Sequence, residues 1–290
     1  MPSHHLNDTE RSSQSIFLHS NDAVVSISDA EKIFYLQEAI TAPAGYRLIV
    51  GLTNLTMPNS MYNIVDGKNT ITISNNDYTV PAGNYSAEDL KDKLTELLGN
   101  DGSVTFDSID NVFTFTFTDP QNIQSTTMER QLGLGVTNNL DPDADPPETA
   151  PHTQLPTGNV SSYTARNICD LGGTTNIYIR IRNLTMNNLD SRGRTNNIIA
   201  SIVNNTNYGG YIFFVPPEVL YYQITEQTIG HLDIELTDQE GELIDLNGAN
   251  FNITLTIHYV KQRESAFRNS LLKEIRDTYT KIKDGEKKNP

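Results

Sequence analysis

Apolar and polar residues alternate with the two-residue period of a half-buried β-strand along most of this 290-residue chain. The alternation is clearest at 251–259 and returns at 48–52, 177–182 and 232–237. Turn residues rich in glycine and proline separate these runs. Many short strands spaced in this way predict an antiparallel β-sandwich or barrel.

Residues 66–140 interrupt this rhythm with the pattern strand, helix, hairpin. Ser86 is a candidate N-cap, and Asp89, three residues later, is its reciprocal capping partner. Leucines follow at helical spacing, at positions 90, 94, 97 and 98. Gly99 is suited to end the helix, and the Phe- and Thr-rich stretch 104–118 predicts a hairpin. The sequence therefore predicts a small α+β unit inserted into an all-β chain.

The chain is expected to begin with a flexible arm at 1–14. The main sandwich is predicted in two pieces, 15–65 and 159–260, which are separated by the insertion at 66–140 and a Pro-rich acidic loop at 141–158. A C-terminal amphipathic helix with a tail is predicted at 261–290. Five prolines in the acidic loop exclude a helix or a central strand there. The C-terminal helix carries its apolar stripe at Phe267, Leu271, Ile275 and Ile282. That helix either binds a partner or packs on its own sandwich.

The net charge of −15 is unevenly distributed. Residues 261–290 carry +4 and the preceding residues −19. An acidic body disfavours non-specific nucleic-acid binding, and the split predicts two surfaces with different partners. No apolar run is long enough for a membrane helix, and the first residues lack the pattern of a secretory signal.

Sequence motifs for catalysis are absent: there is no nucleophile elbow, phosphate loop, dinucleotide fingerprint or zinc-protease motif. The single cysteine, Cys169, is expected to be a small buried residue, and His258 to lie on the outward face of its strand. Asp141, Asp143 and Asp145 alternate like calcium ligands, but neighbouring prolines exclude an EF-hand loop. We therefore expect no catalytic, cofactor-binding or metal site.

Several segments, taken in their order along the chain, resemble one viral protein family. The most characteristic of them, 57–64, contains Pro58, Asn59, Ser60, Tyr62 and Asn63. The others lie at 16–20, 33–36, 42–46, 48–50, 80–86, 131–134, 229–238 and 244–251. Together they resemble the penton (minor capsid) proteins of polinton-like viruses, virophages and related large double-stranded DNA viruses. Leu134 stands where the family pattern has phenylalanine.

The resemblance implies an all-β, antiparallel jelly-roll sandwich with a small α+β insertion, followed here by the C-terminal helix. It implies a structural protein rather than an enzyme, with no cofactor: a penton that forms a homopentamer at the fivefold vertices of an icosahedral capsid. The neighbouring major capsid protein would then be a partner, and sequence-specific nucleic acid would not. The protein would be made in the host cell without a secretory signal and would be located in the virion.

The C-terminal helix is not part of the resemblance, and we expect its apolar face to contact other minor capsid proteins. Two alternative functions remain open at this stage. One is a peripentonal or cementing minor capsid protein with the same fold. The other is a glycan-binding jelly-roll module, for which an aromatic platform would come from Tyr208, Tyr211, Tyr221 and Tyr222.

Overall fold

The computed structural model describes residues 13–134, 155–156, 158–186, 188–189, 195–261 and 276. Most of the predicted N-terminal arm and of the Pro-rich acidic loop therefore lies outside the described residues. The apolar face predicted for the C-terminal helix, with Phe267, Leu271, Ile275 and Ile282, lies outside them as well.

Eighteen strands and two α-helices form within the described residues. Before the insertion the strands are β1 (Ser13–His19), β2 (Val25–Ser26), β3 (Glu31–Thr41) and β4 (Tyr46–Pro58). The next elements are β5 (Thr70–Ile73), β6 (Asn76–Thr79), α1 (Ala87–Leu98), β7 (Gly102–Asp107), β8 (Val112–Gln121), β9 (Ile123–Thr126), α2 (Glu129–Leu132) and β10 (Val160–Thr164). The last are β11 (Asn176–Ile181), β12 (Asn188–Leu189), β13 (Thr195–Asn196), β14 (Ile198–Val203), β15 (Tyr211–Phe214), β16 (Tyr221–Gln223), β17 (Thr228–Thr237) and β18 (Asn252–Lys261).

Two antiparallel sheets make up the main sandwich. The first has the order β1–β18–β4–β15, with β16 also paired to β4, and the second has the order β14–β11–β17–β3–β2. If only the eight sandwich strands of four or more residues are counted along the chain, as β1, β3, β4, β11, β14, β15, β17 and β18, the sheets read 1-8-3-6 and 2-7-4-5. This strand order is that of a jelly roll, so the predicted fold class is confirmed.

The sandwich core is built from the inward half of each alternating strand. Leu255 and Ile257 of β18 meet Ile179 of β11 and Ile234 of β17 in one buried cluster, which also includes Phe251. Burying one large aliphatic or aromatic side chain contributes about 1.5–3 kcal/mol, so this cluster is the main stabilising term of the sandwich.

The insertion has a separate hydrophobic core. Its sheets, ordered β6–β5–β9 and β10–β8–β7, enclose Phe113 and Phe115 together with Leu90 and Leu94 of α1. The predicted capping box is confirmed: the Asp89 backbone N–H donates to Ser86 Oγ at 3.1 Å, and the Ser86 N–H donates to the Asp89 carboxylate at 3.3 Å. The helix ends at Leu98 and Gly99 provides its C-cap, at a φ of 55°.

The insertion extends further along the chain than the sequence predicts. Strand β10 pairs with β8, and Tyr163 and Cys169 join the second core, so the sandwich resumes at β11 rather than at residue 159. Tyr163 is the one buried side chain of β10, and so short a pattern does not say which sheet the strand completes. At the other end, β1 begins at Ser13, inside the predicted arm.

The insertion and the outer ends of the sandwich strands lie at opposite poles. Strand β1 begins with Ser13 opposite His258, and β18 ends with Lys261 opposite Tyr46 at the start of β4. Strand β4 leads into the insertion after Pro58, at its other end. The chain therefore enters β1 and leaves β18 at the pole away from the insertion.

Candidate functional site

Each side of the sandwich ends in edge strands whose outward-pointing side chains are exposed to solvent. We call residues 13–28, with β1 and β2, the β1–β2 edge, and residues 198–225, with β14, β15 and β16, the β14–β16 edge. They terminate opposite ends of the two sheet orders. An unpaired strand edge is a template for pairing with another chain, so both edges are candidate contact surfaces.

The β14–β16 edge exposes several large apolar side chains. Ile212 is buried in the core, so the alternation turns Tyr211 and Phe213 outward, where they are 71% and 69% exposed. Val203 and Leu220 are also largely exposed. Exposed apolar side chains concentrated along one edge in this way indicate an interaction surface.

This edge is also nearly free of charge. The 28 residues from 198 to 225 include a single charged side chain, Glu218, in a chain that is 20% charged. The centres of protein–protein interfaces are depleted of charged residues and enriched in aromatic ones. Composition and exposure thus indicate the same surface.

A cleft of about 560 Å³ opens at this edge between β14 and the pair β15 and β16. Its lining residues include Leu52, Ile199, Phe214, Leu220 and Tyr222. Pro216 and Pro217 follow β15 and have no N–H to continue its ladder, so the chain leaves β4 there. The cleft is therefore an apolar recess in an exposed apolar edge.

Gly51 of β4 allows the segment before β16 to lie close to the sheet. A Cβ atom at this position would lie 2.6 Å from Cγ1 of Val219 and 2.9 Å from the ring of Tyr221. Tyr221 in turn contacts the His258 ring edge-to-face, with centroids 4.7 Å apart. The edge is thus held by packing against β4 and β18.

The β1–β2 edge has the same character on the opposite side. Ile16 and Leu18 are buried, which turns Phe17 outward with 79% of its surface exposed. Val24 and Ile27 are also exposed, and the residues from 13 to 28 include one charged side chain, Asp22. Two apolar, charge-poor surfaces therefore lie on opposite sides of one sandwich.

The segment that carries the clearest family resemblance ties the end loops of the sandwich together. The Asn59 side-chain amide donates to the Thr206 carbonyl at 2.6 Å, and Ser60 Oγ donates to the Leu246 carbonyl at 2.6 Å. The Tyr62 ring lies against that of Tyr208, with centroids 5.9 Å apart. Pro58 ends β4 opposite Tyr211 of β15.

Asn63, the last residue singled out in that segment, joins three parts of the insertion. It is 7% exposed, and its Nδ2 donates to the carbonyls of Tyr85 and Leu171 at 2.8 and 3.1 Å. Its Oδ1 accepts the Tyr85 N–H at 2.9 Å. These contacts fix the entry of the insertion against the start of α1 and the exit after β10.

The four tyrosines proposed for a glycan platform do not share one environment. Tyr208, Tyr211 and Tyr221 are exposed, whereas Tyr222 packs against the sandwich core. Tyr222 is therefore not available as part of an exposed aromatic platform.

The outer face of the second sheet carries a charge cluster around Arg182. Its Nη1 lies 2.6 Å from Glu31 Oε1 and 3.1 Å from Glu235 Oε1, and Asp233 is near its Nε. Burial raises the pKa of Glu235, while Arg182 opposes that rise. The guanidinium joins acidic side chains of β3 and β17 and so stabilises the sheet.

A second cleft, of about 570 Å³, separates the insertion from the loop between β17 and β18. Its lining is acidic and includes Asp66, Glu129, Asp170, Asp238, Glu240 and Glu242. Lys68 spans it, with Nζ 2.6 Å from Glu242 Oε2, and Arg130 Nε lies 2.6 Å from Asp170 Oδ2. These ion pairs offset part of the negative charge.

The environment of Cys169 does not favour a nucleophilic thiol. Burial raises the pKa of the Cys169 thiol, and its Sγ donates to Asn111 Oδ1 at 3.2 Å. Among the described residues, no group of three or more His, Cys, Asp or Glu side chains is placed to hold a metal ion. In the same part of the chain, no helix is long and apolar enough to cross a membrane.

Sequence reasoning placed a candidate glycan platform within the β14–β16 edge, but it did not identify either edge as an assembly surface. The usable signal was the nearly charge-free stretch 198–225 combined with the aromatic residues of β15 and β16. Alternation alone shows that one face of a strand is buried. It does not show that the other face, on an edge strand, also needs a partner.

Two solved structures are similar to the chain. One is the crystal structure of the mavirus penton protein, 12% identical, with a TM-score of 0.46 over 87% of this chain and 100% of that chain. The other is a chain of the Sputnik virophage cryo-EM structure, 14% identical, with a TM-score of 0.41 over 87% of this chain and 98% of that chain. No model of a known protein family and no curated protein sequence matches the chain. The jelly-roll assignment rests on the strand order of the two sheets.

Proposed function

We propose that this protein is a structural subunit of a viral capsid and that it acts as a penton, a homopentamer at the fivefold vertices. The observation that carries the proposal is the pair of apolar, charge-poor edges on opposite sides of one jelly roll. The resemblance of the segments at 16–20, 57–64 and 229–238 to penton sequences supports the same function.

Two different patches on opposite sides of a subunit favour a head-to-tail arrangement of identical copies. Such a heterologous contact repeats around a ring when the rotation closes, and it buries both patches of every copy. A monomer would leave both patches in water, at a cost of about 25 cal/mol for each Å² of apolar surface. Self-association is therefore the arrangement that uses both edges.

The opposite positions of the insertion and of the end of β18 support an orientation of the sandwich in the shell. The insertion lies at one pole, and the chain leaves β18 for the basic residues 261–290 at the other. We propose that the acidic body faces outward and the basic end faces the interior of the virion. The partners would be the neighbouring major capsid protein and, through the stripe at Phe267, Leu271, Ile275 and Ile282, other minor capsid proteins.

The native mass of the purified full-length protein tests the proposal. A penton should show five times the chain mass of 32.3 kDa by native mass spectrometry or light scattering. Phe213→Asp should abolish this assembly because it places a charge in the apolar edge. Ile109→Asp, at a 91% exposed position of the insertion, should leave it intact.

The alternative role has a different native mass. A wild-type protein that is monomeric or trimeric at all accessible concentrations would overturn the penton assignment and favour a cementing capsid protein. A pentamer that survives Phe213→Asp would show that the β14–β16 edge does not mediate assembly.

A further inference from the structure

We infer that Phe17 of one copy packs between Phe213 and Tyr221 of the next, so that the β1–β2 edge of each subunit lies along the β14–β16 edge of its neighbour. The inference rests on the proposed self-association and adds the pair of surfaces that meet. The heights of the exposed residues along the strands and the strand directions support it.

The height of Phe17 follows from the pairing register of the first sheet. Phe17 lies opposite Thr254 of β18, and Thr254 lies opposite Asn54 of β4. Asn54 therefore marks, on the central strand β4, the height at which Phe17 projects from the β1–β2 edge.

The exposed aromatic residues of the other edge bracket this height. Phe213 lies opposite Thr56, and Tyr221 lies opposite Gly51. Asn54 falls between these two positions of β4, so Phe17 is level with the gap between Phe213 and Tyr221.

Equal height is what a closed ring of rotated copies requires. If the strands run roughly along the ring axis, rotation about that axis moves each copy without shifting it along the axis. Only surfaces at the same height can then meet. Patches at different heights would instead favour a helical filament, in which each copy is also translated.

The directions of the edge strands are also compatible. Strand β1 is antiparallel to β18, β18 is antiparallel to β4, and β4 is antiparallel to β15. Strands β1 and β15 consequently run in opposite directions. When rotation brings β1 of one copy beside β15 of the next, the two edges are antiparallel, the arrangement in which inter-strand hydrogen bonds run perpendicular to the strands.

The second sheet independently places the β1–β2 edge at the same height as the β14–β16 edge. The Ile27 N–H donates to the Glu31 carbonyl at 3.1 Å, so Ile27 lies near the height of Glu31. Glu31 pairs with Glu235, Glu235 with Arg180, and Arg180 with Ile198, which lines the apolar cleft. Ile27 of a neighbouring copy would therefore face the cleft of about 560 Å³.

Cysteine crosslinking in the full-length protein tests the contact directly. The double variant Phe17→Cys with Phe213→Cys should give a ladder up to the covalent pentamer on a denaturing gel after treatment with a short bismaleimide, which spans the diagonal offset between the two positions. The matched control, Phe17→Cys with Ile109→Cys, pairs Phe17 with a position on the insertion that is more exposed than Phe213, and it should give no ladder. The native Cys169 is buried and is common to both variants.

A second variant separates the inference from the function on which it rests. Phe17→Asp should remain folded, because Phe17 is exposed in the single copy, and should lose the pentamer. If the wild type is pentameric but Phe17→Asp stays pentameric and the cysteine pair does not crosslink, the edge pairing is wrong and the proposed function stands. If the wild type forms no pentamer, the proposed function itself fails.

Discussion

The sandwich and the insertion each bury a core of their own, yet they differ in what they leave exposed. Fifteen large apolar side chains are exposed among the described residues, and eleven of them lie on the β1–β2 and β14–β16 edges. The insertion contributes Ile109 and Ile168. Its helix surface is instead covered by charged side chains paired at short range, such as Lys91 with Glu88 and Lys93 with Glu96.

This difference assigns separate tasks to the two regions. The insertion buries nearly all of its large apolar side chains within one copy, so its surface can face solvent. The sandwich has a complete core but incomplete edges, and further copies of the chain can cover them. Assembly should therefore depend on the sandwich edges and tolerate changes in the insertion.

The largest expected effect comes from removing the same side chain from each core. Phe115→Ala in the insertion and Phe251→Ala in the sandwich should each lower the free energy of unfolding by about 3–5 kcal/mol, because each phenylalanine is fully buried. Only Phe251→Ala should also weaken the proposed pentamer. Denaturant unfolding and native mass measure the two effects, and loss of the pentamer in Phe115→Ala would show that the two regions are not separable.

Asn63→Ala should have the next largest effect, a loss of about 2–3 kcal/mol of unfolding free energy. The substitution leaves the Tyr85 N–H and two carbonyls without the partner that Asn63 provides in a buried site. Denaturant unfolding measures the loss, and exposed Asn100→Ala is the matched control. An effect no larger than that of the control would mean that Asn63 does not hold the insertion in place.

Much of the fold could be predicted because the strands of the sandwich have long, regular patterns. The alternation at 251–259 became β18, and Ser86 and Asp89 formed the predicted capping box. These are local signals, since one strand face or one helix turn contains all the information needed. Cys169 was also correctly expected to be buried, because a free cysteine behaves as a small apolar side chain.

The parts that escaped prediction depend on contacts distant in sequence. Strand β10 has one buried residue and joins β8 about 45 residues earlier, so its own pattern could not assign it to the insertion. The heights of Phe17 and Phe213 are related only through β18 and β4. Asn63 looked like one member of a family motif, and its hydrogen-bonding role needed the positions of Tyr85 and Leu171.

Ser86→Ala should lower the free energy of unfolding by about 1 kcal/mol. A loss of this size would support the view that the insertion is stabilised by its own contacts. The variant removes the acceptor of the Asp89 N–H at the start of α1. Hydrogen bonds from Ser86 hold the pKa of Asp89 below its ordinary value, so that pKa should rise in the variant. Thermal unfolding and carboxyl titration by NMR check both results. Ser86→Thr keeps the hydroxyl and should behave like the wild type, and equal losses in the two variants would argue against the capping interaction.

The smallest effect should come from Lys68→Met, which removes the ion pair between the insertion and the loop after β17. Lys68 and Glu242 are both more than half exposed, and such pairs contribute about 0–1 kcal/mol. The hydrogen bond to Glu242 raises the pKa of Lys68 above 10.5, so the contribution is complete below pH 10.5 and is lost as the pH rises through the higher folded-state value. The free energy of unfolding, measured against pH and salt, should be slightly higher for the wild type, and this difference should disappear at high salt and above that pH. Lys93→Met, which breaks an ion pair within α1, is the control. A loss of several kcal/mol at neutral pH would contradict the view that this exposed pair contributes little to stability.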